Sequence, residues 1–326
     1  MSTPLIQSTP VDISIIIPVY YNEGCLTPTL DSLHEAVILQ NPDLKFEVFF
    51  VDDGSQDRSL EEILSLREKY PDLVRGIKLT RNFGQASAIL AGMRHARGER
   101  VVIMSADGQD PPELINDMIQ SSRSEGYEIV IATREGRDES LFRVLTSKLF
   151  YHMMRKLAFP SMPEGGFDFV LMGRRALQAF LRNYDANPFF QGQIMWTGFK
   201  IKQIGYHRRS RITGTSRWTF GRKMTYLLDG LMAYSYFPIR VMSLTGGLFA
   251  LLGFLYALTV LVAWVAFGNP VKGWSPLMIV ILITSGVQML MVGIVGEYLW
   301  RTLAQVRNRE HYIVETTYGF DKPFNE

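Results

Sequence analysis

Two long apolar runs near the C-terminal end set the strongest limit on how this chain folds. The first runs from Ile239 to Phe267 and carries one charged residue, Arg240, at its edge. The second covers residues 275–300 and follows a short polar loop that contains Lys272. A helix needs roughly 20 apolar residues to cross a bilayer, and both runs exceed that length. The sequence therefore predicts two transmembrane helices; the alternative, two buried helices of a large soluble core, requires adjacent runs of a length seldom found there.

The charged residues that flank these runs predict their orientation. Arg240 precedes the first run, and Arg301, Arg307 and Arg309 follow the second. The connecting loop has only Lys272. Because positive charge accumulates on the cytoplasmic side of membrane helices, we expect a multi-pass protein of the inner, cytoplasmic membrane with both termini in the cytoplasm.

The composition divides the chain into a soluble part and a membrane part. Hydrophobic residues make up 47% of the sequence and charged residues 20%, which is too apolar for a purely soluble enzyme and too polar for a wholly membrane-buried protein. The first residues lack the basic and apolar regions of a signal peptide, so the soluble part is expected in the cytoplasm. A formal net charge of +2 does not favour a nucleic-acid partner. The single cysteine, Cys25, excludes an internal disulfide.

The soluble part alternates strand-like and helix-like segments. Predicted strands cover residues 13–19, 46–53, 76–80, 100–107 and 128–133, and predicted helices cover 26–39, 59–70 and 85–97, with a further helix from about Glu113. Such alternation is typical of an α/β fold with a mostly parallel sheet, in which ligands bind at the carboxyl ends of the strands.

Four polar segments follow the first four predicted strands. They are PVYYNE, DDGSQD, RNFGQ and ADGQD. Each one alone is a plausible turn. Their common position after a strand predicts one shared site.

The residues of these segments favour metal-assisted phosphate chemistry. The chain has neither the Gly-x-x-x-x-Gly-Lys loop nor the Gly-x-Gly-x-x-Gly loop that cradles phosphates, so metal and cationic side chains are expected to take that role. Asp107 and Gln109 are two apart on a segment predicted to be extended, which places both on one side. Their oxygens suit Mg²⁺ or Mn²⁺. Asp52 and Asp53 end a neighbouring strand, where one of them can reach a base or a ribose.

These segments, in this order, resemble family 2 glycosyltransferases of the GT-A fold. The closest subgroup is similar to dolichyl-phosphate mannose synthase and to bacterial polyprenyl-phosphate glycosyltransferases. The later segments GGFDFVLMGRRA and RITGTSRW, followed by the two apolar runs, resemble the undecaprenyl-phosphate glucosyltransferases that serve O-antigen or cell-envelope glucosylation. The resemblance covers nearly the whole chain.

The resemblance implies roles for particular residues. Those expected at the nucleotide sugar are Pro18, Tyr20, Glu23, Asp52, Asp53 and Asp107. Asp107 and Gln109 would hold the divalent metal on the diphosphate, which makes Asp107 a catalytic residue. Asp168 would orient or deprotonate the acceptor. Ser105 stands where the family commonly has an acid, which leaves one carboxylate at the metal and makes Gln109 more important.

Basic residues are expected to bind the diphosphate and the lipid phosphate. The predicted set consists of Arg134, Arg137, Arg208, Arg209, Arg211 and Arg217, with the hydroxyl of Ser216 as a further donor. Guanidinium groups match phosphate oxygens in pairs. The alternative for any one of these arginines is a surface that faces anionic lipid.

The sequence also predicts the domain boundaries. They are a tail (1–12), a GT-A catalytic domain (13–188), an acceptor-side and juxtamembrane amphipathic segment (189–238), two transmembrane helices (239–300) and a cytoplasmic tail (301–326). Apolar residues at helical spacing in 147–159 and 222–237 predict amphipathic helices that lie on the membrane or pack against the catalytic domain or a sister subunit. The strand-like residues 311–320 would allow a homo-oligomer.

The predicted activity is inverting, metal-dependent transfer of a hexose, glucose from UDP-glucose in the first place, to undecaprenyl phosphate. UDP-N-acetylhexosamine, GDP-mannose and a UDP-aminoarabinose derivative are alternative donors. A processive polysaccharide synthase is disfavoured because QIMW (193–196) lacks the arginine of its acceptor motif. A non-catalytic membrane scaffold and a lipid-phosphate transporter are further alternatives. A sugar attached in the cytoplasm implies a separate flippase and a downstream glycosyltransferase.

Overall fold

The computed structural model describes residues 11–134, 151–183, 189–207, 229–230, 232–267, 274–307 and 309–320. The chain forms two compact units. The first consists of Met1–Lys223 with Glu310–Glu326, and the second of Met224–Arg309. The domain boundaries drawn from the sequence stay predictions.

Within the described residues, the first unit is built on an eight-stranded sheet. Its strands are β1 (Ile13–Val19), β2 (Phe46–Asp52), β3 (Val74–Leu79), β4 (Arg100–Ile103), β5 (Ile129–Arg134), β6 (Val170–Gly173), β7 (Ile201–Tyr206) and β8 (Val314–Tyr318). Their order across the sheet is β7-β5-β6-β4-β1-β2-β3-β8. The pairs β4-β1, β1-β2, β2-β3 and β5-β7 are parallel, whereas β6 and β8 run antiparallel to their neighbours.

Helices connect the strands. They are α1 (Leu26–Leu33), which a π-helical turn continues over His34–Ile38, α2 (Ser59–Lys69), α3 (Gln85–His95), α4 (Leu114–Ser124), α5 (Arg174–Arg182) and α6 (Phe190–Trp196). Every residue of β2 is buried, and Ile15, Ile16 and Ile17 of β1 have no exposed surface. Strands buried on both faces read as continuous apolar runs, which is why FEVFFVD and ISIIIPV stand out in the sequence.

The architecture is the predicted GT-A-like, mostly parallel sheet with Rossmann-like topology. The structure differs from the prediction in the length of the fourth strand, which ends at Ile103 instead of continuing to Asp107. The Met104 N–H still donates to Ile16 O at 3.1 Å, but the N–H groups of Ser105 and Gln109 donate to aspartate side chains of a turn. The sequence did not predict the antiparallel strand β6, because four residues are too few to show the alternation of apolar and polar side chains that marks a strand.

The C-terminal strand β8 covers the edge of the sheet at β3. Lys78 Nζ donates to Glu315 Oε1 at 2.8 Å across this pair. The ring centroid of Phe320 lies 6.0 Å from that of Phe49. The strand-like tail therefore pairs with the sheet of its own chain, and an oligomer formed through it stays a prediction.

Long helices form the second unit. They are α7 (Phe237–Phe267) and α8 (Trp274–Arg307). Among the described residues, one helix is long and apolar enough to cross a membrane, over Phe237–Ala263. The second predicted span lies within α8 and stays a prediction. In this unit Arg301 Nη2 donates to Asp229 Oδ1 at 2.8 Å and to Glu297 Oε1 at 2.7 Å.

Candidate active site

The loops after β1, β2 and β3 are joined by hydrogen bonds at the carboxyl ends of these strands. The backbone N–H of Asp53 donates to Val19 O at 2.9 Å. The Asp53 carboxylate accepts from the N–H groups of Phe83, at 2.7 Å, and Gly84, at 2.8 Å. These bonds bring DDGSQD and RNFGQ together, as the sequence predicts for segments that follow neighbouring parallel strands.

Asp53 is buried, and its environment disfavours its charge. Burial raises the pKa of Asp53 to about 6, and the nearby Asp52 adds to this effect. The two backbone N–H groups act in the opposite direction but do not compensate. Each Asp53 carboxylate oxygen thus accepts from the next loop, so Asp53 joins the two loops, and its role at the nucleotide stays a prediction.

Asp52 differs from its neighbour in having a buried oxygen without a partner. The residue has no exposed surface, and Oδ1 accepts from the Ser55 N–H at 3.0 Å. Oδ2 is also buried and has no hydrogen-bond partner in the described part of the protein. Burial raises the pKa of Asp52. Unsatisfied buried acceptors are rare because they cost free energy, and an N–H donor that reached this oxygen would satisfy it.

The loop after β1 contains most of the other residues predicted at the nucleotide. Pro18, Tyr20 and Glu23 lie at the end of β1 and directly after it. The Tyr21 N–H donates to Ser55 Oγ at 3.0 Å with Tyr21 at a φ of 55°. The Arg58 N–H donates to Glu23 Oε2 at 3.3 Å. The structure thus brings these residues beside the loop that begins with Asp52.

The acidic segment after β4 forms a tight turn. Gly108 has a φ of 70°, and Asp107 Oδ1 accepts from the Gln109 N–H at 3.3 Å. Ser105 Oγ lies 2.8 Å from Asp107 Oδ1 and 2.6 Å from Asp110 Oδ2. The Ser105 N–H also donates to Asp110 Oδ2 at 3.0 Å. The prediction that Asp107 and Gln109 share a side of an extended segment is wrong in its premise, because the segment turns.

The donor atoms of this turn fit a divalent metal that arrives with a diphosphate. Asp107 and Gln109 are both partly exposed and offer carboxylate and amide oxygens. The described residues contain no group of three or more His, Cys, Asp or Glu side chains that would hold a metal by itself. Mg²⁺ is typically held by one or two carboxylates together with substrate phosphates, so a single carboxylate is compatible with such a site.

Asp168 is held from two directions. Arg134 Nη2 donates to Asp168 Oδ2 at 2.6 Å, and Gln191 Nε2 lies 3.5 Å from Asp168 Oδ1. Gln191 is 4% exposed and its Nε2 donates to Phe167 O at 2.7 Å. The Asp168 side chain is 51% exposed and remains open to a ligand. Sequence reasoning missed Gln191, although it lies two residues before the QIMW segment.

Asp110 and Tyr206 connect this carboxylate to the acidic turn. The Tyr206 hydroxyl donates to Asp110 Oδ1 at 3.0 Å, and Arg134 Nε lies 3.5 Å from the same hydroxyl. Burial opposes the charge of Arg134, but Asp168 and Tyr206 outweigh it and raise the pKa of Arg134. Burial and the Asp110 charge raise the pKa of Tyr206. The sequence reasoning assigned neither Asp110 nor Tyr206; the signal for Asp110 was its place beside Gln109, and Tyr206 had none.

Six of the seven predicted phosphate-binding residues lie outside the part of the chain that the structure describes. They are Arg137, Arg208, Arg209, Arg211, Ser216 and Arg217. Arg134 lies inside them, at the end of β5, and is paired with Asp168. The site thus has a turn with donor atoms suited to a metal and diphosphate, a buried carboxylate oxygen of Asp52 without a partner among the described residues, and an ion-paired carboxylate.

The chain matches two protein families. Residues 14–181 match Glycosyl transferase family 2, and the chain belongs to this family. Residues 237–301 match a second family, the GtrB C-terminal hairpin.

Full-length relatives share both parts. The chain is 35% identical to "Uncharacterized glycosyltransferase YkcC" of Bacillus subtilis over 97% of each chain. It is 31% identical to the "SfII prophage-derived bactoprenol glucosyl transferase" of Shigella flexneri, over 94% of this chain and 98% of that protein. A solved structure with a similar fold is the mannosyltransferase PcManGT from Pyrobaculum calidifontis in complex with GDP-Man and Mn²⁺. Its TM-score is 0.51 at 18% sequence identity, and the match covers 92% of this chain and 87% of the PcManGT chain. That structure supports the fold alone.

Proposed function

We propose that this protein transfers glucose from UDP-glucose to undecaprenyl phosphate at the cytoplasmic face of the inner membrane. The observation that carries the proposal is the union of a family 2 catalytic domain with a GtrB hairpin in one chain. A relative named bactoprenol glucosyl transferase aligns with 94% of this chain and 98% of its own length, so both parts are shared. The soluble domain supplies the chemistry and the hairpin gives access to a lipid acceptor.

The nucleotide sugar binds over the carboxyl ends of β1, β2 and β4 in this proposal. The unpartnered Asp52 Oδ2 accepts from the uracil N–H, and Pro18, Tyr20 and Glu23 border the nucleotide. Asp107 and Gln109 would hold Mg²⁺ or Mn²⁺. A metal held there would supply positive charge to offset the charge that develops on the leaving diphosphate.

The acceptor attacks as an anion. A phosphate monoester has a second pKa of about 6, so its oxygen needs no base at neutral pH. A bond forms between this oxygen and the anomeric carbon while the bond from that carbon to the diphosphate breaks, with inversion and without a glycosyl-enzyme intermediate. Asp168 then orients the acceptor, since an acceptor that is already an anion needs no base and the Asp168 carboxylate is held by Arg134 at 2.6 Å. The arginines of the predicted phosphate-binding set complete the lipid-phosphate site.

The hairpin anchors the protein as a multi-pass membrane protein in this proposal. α7 and the apolar part of α8 both span the bilayer, and the catalytic domain and both termini lie in the cytoplasm. Arginines at the cytoplasmic ends fit this orientation. Since the product then carries its sugar on the cytoplasmic side, a flippase must move it across the membrane before a downstream glycosyltransferase can use it as a donor.

The test is transfer of labelled glucose from UDP-glucose into an organic-extractable lipid by the purified full-length protein with undecaprenyl phosphate and Mg²⁺ or Mn²⁺. Product that forms with metal and is lost with EDTA is the expected result. Product with GDP-mannose, UDP-N-acetylglucosamine or a UDP-aminoarabinose derivative instead would change the donor but keep the reaction. No product with any of these donors would overturn the proposal in favour of a scaffold that retains the fold.

A further inference from the structure

A single hydroxyl lies between the metal-ligand turn and the acceptor-side carboxylate. The Tyr206 hydroxyl donates to Asp110 Oδ1 at 3.0 Å and accepts from Arg134 Nε at 3.5 Å. Asp110 belongs to the turn that carries Asp107 and Gln109, and Arg134 donates to Asp168 at 2.6 Å. The two halves of the site are therefore connected through side chains.

The sheet fixes the place of this hydroxyl. β5 and β7 are parallel neighbours, and their register sets Arg134 beside Tyr206. Tyr206 is 5% exposed, and its ring meets that of Phe169 edge-on with centroids 6.4 Å apart. A buried aromatic ring on a strand has little freedom, so the hydroxyl is held where both partners reach it.

We propose that Tyr206 is a positioning residue whose hydroxyl ties the turn 105–110 to Arg134 and, through Arg134, orients Asp168. This inference rests on the proposed function, which assigns the metal and diphosphate to the turn 105–110 and the acceptor to Asp168.

The physical reason lies in the direction of the hydrogen bonds. A hydroxyl donates one hydrogen bond, and the Asp110 carboxylate accepts it, so the Tyr206 oxygen is left as an acceptor for Arg134. Hydrogen bonds in which one partner is charged are stronger than neutral ones, and bonds that share a hydroxyl polarise one another. Asp110 is 1% exposed, so the loss of this donor is not replaced by bulk water. Of the two contacts, the one to Arg134 is the longer and the weaker.

The test is Tyr206→Phe in the full-length protein, which removes the hydroxyl and keeps the ring. Two quantities are measured: the affinity for Mn²⁺ with UDP, by calorimetry and by the Mn²⁺ electron paramagnetic resonance signal, and the kcat and KM of transfer. Loss of a residue that orients metal ligands typically costs about 10- to 100-fold in metal affinity or activity, and we expect at least about tenfold in Mn²⁺ affinity and in kcat.

Tyr312→Phe is the matched control. Tyr312 is 7% exposed, and the guanidinium of Arg94 lies 5.6 Å from the centroid of its ring. It lies just before β8, at the opposite end of the sheet from β7. A general effect of removing a buried tyrosine hydroxyl would appear in both variants. The proposal expects the control to keep Mn²⁺ affinity and kcat within about twofold, as for a substitution away from the site.

A double variant separates positioning from stability. Because Tyr206 acts on kcat through Asp168, the kcat loss of Tyr206→Phe is expected to shrink in an Asp168→Asn background, whereas independent effects add. Equal losses in both backgrounds, or unchanged Mn²⁺ affinity and kcat in Tyr206→Phe, would overturn the inference. Absence of transfer by the unaltered protein with every donor overturns the proposed function instead, and the Mn²⁺ affinity then still decides the role of Tyr206 at the turn.

Discussion

Arg134 and Asp168 form an ion pair with a nitrogen-to-oxygen distance of 2.6 Å at the edge of the site. Arg134 ends β5, and Asp168 lies two residues before β6. The two strands are antiparallel neighbours, which explains why residues 34 apart in the chain meet. The guanidinium fixes the orientation of the Asp168 carboxylate, whose side chain is still 51% exposed.

We expect Asp168→Asn to lower kcat by about 100-fold while UDP binding stays unchanged, since misplacement of a reactant costs about that much. The pH profile tests the positioning role. If Asp168 only orients the acceptor, the fall in rate below about pH 6 belongs to the lipid phosphate and persists in the variant. Loss of that acidic limb would show that Asp168 is the base.

The control for this substitution is Glu164→Gln. Glu164 accepts from Arg155 Nη1 at 2.9 Å, and its side chain is 76% exposed. Exposed ion pairs contribute little to stability, so this variant is expected to retain transfer activity.

Asp107→Asn is expected to weaken metal-dependent binding of UDP and to lower transfer by about 10- to 100-fold. An amide is a poorer ligand for Mg²⁺ or Mn²⁺ than a carboxylate, so raised Mn²⁺ should restore part of the activity. The measurement is activity against Mn²⁺ concentration. Asp117→Asn, an exposed acid in the first turn of α4, is the control, and equal behaviour of the two variants would argue against a metal role for Asp107.

Asp52→Asn separates binding from stability. Oδ1 can still accept from the Ser55 N–H, but an amide N–H replaces the unpartnered Oδ2. Hydrogen bonds to charged groups contribute about 1.5–3 kcal/mol, so we expect at least about tenfold weaker UDP binding. Removal of a buried charge should leave the melting temperature equal or higher. Unchanged UDP affinity by calorimetry would place the uracil elsewhere.

The raised pKa of Asp53 predicts a pH dependence of stability. In the folded chain this pKa is about 6, against an ordinary value of 3.8. Between these values the folded state holds a proton that the unfolded state has released, so the free energy of unfolding falls as pH rises from about 4 to 6. If the whole pKa shift is expressed, Asp53 lowers the free energy of unfolding by about 3 kcal/mol across this pH window.

Denaturant unfolding of the wild type and Asp53→Asn between pH 4 and 7 measures this effect. We expect the variant to have a smaller downward slope in that window, although it is less stable overall because an amide N–H meets the N–H of Gly84. Parallel curves for the two proteins would show that Asp53 does not titrate in this range.

Most of the soluble fold follows from local sequence patterns. β1, β2, β3 and β5 and helices α1 to α4 lie where period and composition place them, because their buried residues form apolar runs or helical stripes. The strands β6 and β7 were not predicted: β6 is short, and β7 has exposed residues on alternate positions without a strong apolar face. The four loops were predicted to share one edge, and the first three are joined there by hydrogen bonds.

The sequence by itself determined the class of the fold, the apolar hairpin and the residue types at the site, since these depend on composition and on motifs of a few residues. Only the tertiary structure decided which residues meet. The turn at 105–110 replaced an expected strand end, the pairing of Arg134 with Asp168 needed β6 to run antiparallel beside β5, and Tyr206 reached Asp110 because β7 adds to the far side of β5. The contacts of Arg134 with Asp168 and of Tyr206 with Asp110 join residues 34 and 96 positions apart, and no local pattern encodes a separation of that size.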